Sequence, residues 1–224
     1  MSSVDAASSA QPGSPAQPGS PISSAQPATA YSPGEADPPA IRFGIVGTGF
    51  IARWFLQAVR AVPRARVTAV TSARPESAAA FAAEHGIGAS YATLEEMLAA
   101  GRPGGASPFD VVYIGSPNSL HASQTITALE AGFHVLVEKP FALDAEQAEA
   151  MVAAAARHDR FLMEGWLTAF EPGTAALRRA LPALLSDGPG PHRAVLVKEQ
   201  YSSRMDRLRA GELPPAFDPA LGGG

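Results

Sequence analysis

From residue 41 onward the apolar positions run in two alternating rhythms. "IRFGIV" (41–46) is a short apolar run of strand type, and Thr48–Val62 follows it with apolar residues at helical spacing. "ARVTAVTS" (65–72) is again strand-like. "PESAAAFAAEHG" reads as a helix, with Pro75 in its first turn and Gly86 just past its end. "TLEEMLAAG" is a short helix and "FDVVYIGS" an apolar strand. "SLHASQTITALEAG" is a helix ending at Gly132, and "FHVLVE" a further buried strand. "DAEQAEAMVAAAARH" opens with Asp144 and Gln147 at capping-box spacing, and "FLMEGW" closes the series as the last strand candidate.

Strands that alternate with helices, several of them apolar on both faces, predict a parallel sheet covered on both sides. The expected fold is a doubly wound α/β domain of Rossmann type over residues 41–165. Residues 166–224 read as the start of a second domain. There "PGTAALRRALPALLS" is helical and "RAVLVKEQYSS", around Ala194–Tyr201, is an alternating strand; from Arg209 on the sequence is loop-like. One strand and one helix cannot bury each other well, so this second unit is expected to be incomplete.

Residues 1–40 are a different material. They hold eight of the 21 prolines, and "AQPGSP" occurs twice in tandem. A Pro/Ser/Ala-rich tract of this kind buries too little apolar surface to offset the entropy of ordering, so a disordered tail is expected. The first basic residue of the chain is Arg42, beyond this tract, which does not suit a secretory signal.

Charge and composition remove several functions. The net charge is −4 with no block of like charges, so no nucleic-acid partner is expected. No apolar run approaches the ~20 residues that span a bilayer, so no membrane partner is expected either. With no cysteine in the chain, disulfides, thiolate catalysis and cysteine-ligated metal are excluded; no metal site is expected and a cytoplasmic location is.

The chemistry begins at "GTGFIA", a G-x-G-x-x-A loop set between a strand and a helix. Gly47 permits the tight turn, Gly49 lets the backbone approach a pyrophosphate, and small Ala52 lets the helix pack close to the strand. The helix N-terminus then offers free N–H groups to the phosphates. The end of the second strand reports which nucleotide binds. A carboxylate there would hold the ribose hydroxyls of NAD, but the sequence reads "VTSARPES", with Ser72 and Arg74. A hydroxyl and a guanidinium suit a 2′-phosphate, so NADP is preferred, with NAD as the alternative.

Two further stretches, "GSPNSLHA" and "VEKPFAL", lie at the C-terminal ends of the strands "FDVVYIGS" and "FHVLVE", where open α/β sheets bind ligands. Taken singly, each has an ordinary account. Asn118 or Ser119 is a helix cap, His121 a surface histidine, Glu138 and Lys139 a solvated pair, and Pro140 the end of a strand. Taken with the glycine loop, "GIVGTGFIA", "SPNSLHA", "ALEAGFHVLVEKPFAL" and "FLMEGW" resemble the glucose–fructose oxidoreductase / inositol dehydrogenase / rhizopine-catabolism (Gfo/Idh/MocA) family. The Tyr-x-x-x-Lys pair of short-chain dehydrogenases and the Gly-Lys-Ser/Thr of phosphate-loop kinases are both absent.

The resemblance implies an NAD(P)-dependent oxidoreductase acting on a sugar, polyol or related hydroxy compound. It implies a cofactor set of Gly47, Thr48, Gly49, Phe50, Ile51, Ser72, Arg74, Ser116, Pro117, Asn118, His121, Glu138 and Lys139. Asn118 and His121 would lie along the cofactor, and Lys139 would be catalytic, its ammonium meeting the substrate oxygen while hydride passes to the nicotinamide. The chain has 15 Arg and only two Lys, so a lysine here is not simply the default basic residue. One departure stands out: many relatives carry an arginine where this chain has Ala169.

In the resembled family the second domain is an open-faced sheet. A segment like "FDPALGGG" precedes the helix that carries a His or Tyr working with the lysine. The resemblance therefore implies a chain truncated within its second domain, and a homo-oligomer only where that domain is complete. The alternative is a catalytically inactive NADP-binding module or remnant.

Overall fold

A computed structural model describes residues 39–102, 105, 108–186, 195, 197, 202 and 204–223. The expected tail (except its last two residues) and the expected strand over Ala194–Tyr201 (except Val195 and Val197) lie outside the described residues.

Six strands form one parallel sheet: β1 (Ile41–Val46), β2 (Ala65–Thr71), β3 (Ala89–Tyr91), β4 (Val111–Ile114), β5 (His134–Glu138) and β6 (Leu162–Gly165). Their spatial order is β3-β2-β1-β4-β5-β6, with every neighbouring pair parallel. This is the doubly wound arrangement the alternation of elements predicts. The three-residue β3 has no apolar run of its own, and no segment of the sequence reading accounts for it. Five helices connect the strands: α1 (Phe50–Arg60), α2 (Pro75–His85), α3 (Leu94–Gly101), α4 (His121–Glu130) and α5 (Ala145–Arg157).

The helix ends follow from local chemistry. Pro75 opens α2, and Gly86 closes it in the left-handed conformation that a residue lacking Cβ adopts most easily. Asp144 caps α5 by accepting from the Gln147 N–H at 2.8 Å, as the capping-box spacing predicts. Thr93 does the same for α3, accepting from Glu96 N–H at 3.1 Å.

Side chains alternate across the sheet into two cores. Ile45, Val70 and Tyr113 face α1 and α2, joining Ala52, Leu56, Phe81 and Ala82. Val46, Ala69, Val112, Ile114, Val135 and Val137 face the other way, joining Met97, Leu98, Leu129, Met151 and Ala154. The cover is uneven. Along β5 only Val135 and Val137 are buried, whereas His134, Leu136 and Glu138 on the opposite face are half-buried. Beyond the sheet, α6 (Pro172–Ser186) occupies the residues expected to be helical but buries none of them, and the five-residue α7 (Met205–Arg209) falls where no helix is expected.

At the sheet end opposite the strand C-termini, Arg42 of β1 clasps Asp110, the residue before β4. Its Nη2 donates to Oδ1 at 2.7 Å and its Nε to Oδ2 at 3.1 Å, while its backbone N–H donates to Oδ2 at 2.9 Å. These bonds, chiefly the guanidinium's, hold the Asp110 carboxyl below the usual carboxylate range. A lowered folded-state value means stability that is present above the unfolded value of ~3.9 and lost as pH falls through the folded one. The side chains are 35% and 38% exposed, so screening limits the pair to about 1 kcal/mol or less. Asp110→Asn is therefore expected to lower the urea midpoint at neutral pH. The difference should shrink below about pH 4 and in about 1 M salt. A difference independent of pH would show that the ion pair is not its source.

Candidate functional site

The site is built where the strand order reverses, between the C-terminal ends of β1 and β4. Gly47 follows β1 at φ +102°, and its N–H donates to Thr71 O at 2.8 Å. A Cβ at Gly47 would lie 2.6 Å from Gly115 O and 3.2 Å from Ser116 N. Conformation and space both exclude a side chain here. Gly49 differs. It is the N-cap of α1 with an ordinary φ of −75°, and a Cβ there would meet nothing within 4 Å. Thr48 and Ile51 are half-buried around it, while Phe50 is exposed and packs against the exposed Trp54. No side chain caps the N-terminus of α1 and no acidic residue stands in its first turn. The leading N–H groups and the positive end of the helix dipole are thus left for an anion. Ala52 is completely buried, which brings α1 down onto the sheet.

One strand over, β2 ends at Thr71, and Ser72 and Arg74 follow. The Ser72 hydroxyl donates to Arg74 O at 2.7 Å and accepts from Arg74 N at 3.3 Å, so the two form a closed turn. Arg74 is the exposed N-cap residue of α2, and among the described residues its guanidinium makes no ion pair.

The loops after β4 and β5 are joined by His121. Its ring is 1% exposed, with Nδ1 at 2.8 Å from Pro140 O and Nε2 at 3.1 Å from Ser116 O. It is not a surface histidine. The ring turns inward and supports both loops from beneath, and neither nitrogen remains to line a cofactor. The Ser116 hydroxyl donates to Gln124 Oε1 at 2.6 Å, and Pro117 leads into a 3₁₀ turn at Asn118–Leu120. Neither Asn118 nor Ser119 caps α4, whose N-cap residue is Leu120. The Asn118 amide instead donates to Gly222 O at 2.9 Å, joining residues 104 positions apart.

Glu138 is no solvated partner of Lys139. Its Oε1 accepts from the Tyr113 hydroxyl at 2.9 Å and its Oε2 from the Lys139 backbone N–H at 3.3 Å. Tyr113 is buried and stacks on Phe55 of α1, with ring centroids 3.7 Å apart. Burial, then the Glu138 charge and hydrogen bond, push the Tyr113 phenol above its usual value, so it stays a neutral donor. Lys139 is exposed at the end of β5, and its side chain has no ion pair among the described residues. The following loop is fixed by Glu164, whose Oε1 accepts from Phe141 N–H at 2.9 Å.

Three of these partners escape the sequence reading: Tyr113, Gln124 and Glu164. Only Tyr113 carries a signal. It is the one polar-tipped side chain in the apolar run of β4, and a buried phenol requires a partner. Ala169 lies in a 3₁₀ turn over Leu167–Phe170.

The family described as "Oxidoreductase family, NAD-binding Rossmann fold", Gfo/Idh/MocA, matches residues 41–166. A scyllo-inositol 2-dehydrogenase (NADP(+)), IolU of Bacillus subtilis, is 38% identical over 190 residues, covering 82% of this chain and 53% of its own length. The chain thus spans about half the length of this curated relative. Among solved structures, the WlbA dehydrogenase of Bordetella pertussis, in complex with NADH and UDP-GlcNAcA, aligns with a TM-score of 0.58 and 28% identity, over 64% of this chain and 42% of that one. A 3-ketoreductase mutant from Actinomadura kijaniata, in complex with TDP-benzene and NADP, aligns at 0.56 and 33%, over 65% and 43%. A parallel six-stranded sheet, a glycine loop at its switch point and these matches place the chain in the Gfo/Idh/MocA family of oxidoreductases.

Proposed function

We infer that this chain binds NADP(H) across the ends of β1, β2 and β4. It serves an oxidoreductase that moves hydride between the nicotinamide and a hydroxyl or carbonyl carbon of a sugar, polyol or related compound. The observation that carries the nucleotide reading is Gly49. Nothing in the protein requires glycine there, yet its missing side chain opens the backbone beside an uncapped helix N-terminus. Arg74 supports a 2′-phosphate, because its exposed guanidinium makes no ion pair among the described residues and can grip a phosphate through paired, charge-assisted hydrogen bonds, while Ser72 closes the turn that carries it. The NADP(+)-dependent relative from B. subtilis agrees with that preference, and its inositol substrate favours a polyhydroxylated one here.

The bound nicotinamide supplies a ring carbon, C4, that gives or takes hydride. The chain's own residues orient and protonate. The Lys139 amino group, exposed at the end of β5, can as an ammonium hydrogen-bond a substrate oxygen and give it a proton on reduction, and as a neutral amine take that proton on oxidation. Glu138, anchored by Tyr113, keeps the start of that loop fixed. His121 ties the loop to the one after β4.

The two glycines separate fold from ligand. Gly47→Ala is expected to destabilise the domain by roughly 1–3 kcal/mol through φ strain alone, and by more through the clash with Gly115. Gly49→Ala should leave the melting temperature within about 2 °C, a change of well under 1 kcal/mol, yet weaken NADPH binding measured by fluorescence titration. A Gly49→Ala protein that binds NADPH normally would refute the glycine-loop reading.

Arg74→Ala is expected to weaken NADPH binding about tenfold or more, since a hydrogen bond to a charged group contributes ~1.5–3 kcal/mol, with NADH affinity nearly unchanged. Equal losses for both nucleotides would argue against a 2′-phosphate contact. Lys139→Ala should keep NADPH binding but lower turnover of inositols or aldoses by about 10²–10⁴. NADPH binding with no turnover by the unmutated chain would favour a binding module over an enzyme.

A further inference from the structure

The segment before Gly223 docks on the candidate site, and the Asn118 side chain fastens it by a hydrogen bond. Pro219–Leu221 is a 3₁₀ turn capped by Asp218, whose Oδ1 accepts from Ala220 N–H at 3.0 Å. The Asp218 carbonyl accepts from Leu221 N–H at 3.0 Å and from Gly223 N–H at 2.9 Å. The turn is therefore closed on itself and presents Gly222 outward. Gly222 has φ +76°, and a Cβ there would lie 2.5 Å from Leu143 Cδ2, 2.9 Å from Asn118 Cβ and 3.2 Å from Ser119 N. No L side chain fits that conformation in that space. The Gly222 carbonyl accepts from the Asn118 amide at 2.9 Å.

Gly222 thus meets two loops at once. Asn118 and Ser119 belong to the loop after β4, next to Ser116 and the glycine loop. Leu143 belongs to the loop after β5 that begins at Lys139. Asn118 is half-buried, and its amide has been spent on Gly222 rather than left for a ligand.

We propose that Asn118 is a positioning residue that latches the 218–223 turn onto the loops after β4 and β5, so that the backbone at Gly222 is held at a set place beside the Lys139 loop. Asn118 then acts on the reaction through the placement of that turn and not by gripping the cofactor. The inference rests on the proposed function for its purpose, while its geometry and test stand apart from it.

Hydrogen–deuterium exchange on the whole 224-residue chain reads the latch directly. Asn118→Ala removes the amide. Asn118→Asp keeps the side chain's size but has no donor for the Gly222 carbonyl. Both are expected to raise exchange at Ala220–Gly223 by about tenfold, the effect of one lost hydrogen bond, while exchange in β1, β4 and β5 and the affinity for 2′,5′-ADP stay as in the unmutated chain. Unchanged exchange at 220–223 in both variants overturns the latch. Exchange that rises throughout the chain, or failure of both variants to fold, overturns it too, because Asn118 would then serve general stability. Absence of 2′,5′-ADP binding by the unmutated chain would overturn the NADP reading alone and leave the exchange result standing.

Discussion

The close approach of two backbone loops at the sheet's switch point is the constraint on which the rest depends. With β1 and β4 adjacent and their connections leaving in opposite directions, the chain must turn sharply after Val46 while a neighbouring loop turns at Gly115. The gap left between them is smaller than a methyl group, since a Cβ on Gly47 would sit 2.6 Å from Gly115 O. That contact sets where α1 begins, and Ala52 then sets how deeply it lies. The result is a helix N-terminus aimed at an open crevice, with no acidic or capping side chain competing for its amides.

Electrostatics on the two sides of this point differ in kind. At the base of the sheet, Arg42 and Asp110 form a partly exposed pair whose contribution is small and sensitive to salt. At the strand C-termini the polar groups are buried or half-buried and lie within hydrogen-bond distance of partners. Tyr113 donates to Glu138, Ser116 to Gln124, and His121 sits between two carbonyl oxygens. Buried polar groups that find partners rigidify the loops they join. The loops after β4 and β5 are therefore fixed from below, while Lys139 extends from one of them, and Arg74 from the turn after β2, into solvent.

What was legible in the sequence was local. Six-residue apolar runs, Pro75, Gly86 and the Asp144/Gln147 pair each act within a few residues of themselves, and the structure realises all of them. Gly47 was legible for its turn but not for its contact with Gly115, which depends on strand order. β3 was not legible because three residues beside β2 need no apolar pattern. The inward turn of His121 could not be read either, because a lone histidine at the start of a helix has the same spacing whether its ring faces solvent or the interior. The Asn118–Gly222 bond spans 104 positions, and no periodicity carries across that distance. A buried tyrosine in an otherwise aliphatic strand was the one non-local clue available, since its hydroxyl had to be answered by some acceptor.

The cover of the sheet is uneven, and the residues proposed to bind the nucleotide lie on its better-packed side. Around β1, β2 and β4 both faces are packed, and the glycine loop, Ser72 and Arg74 all project from that well-supported part. One face of β5 and all four residues of β6 are only half-buried, and close by in sequence Trp166, Leu167 and Phe170 expose more than half of their surface. Leu177, Leu181, Leu184 and Leu185 repeat at helical spacing along α6, and all are exposed. Exposed apolar side chains at helical spacing favour a covering surface. On the proposed function, the residues that would set nucleotide preference, Ser72 and Arg74, stand on the better-packed side of the sheet.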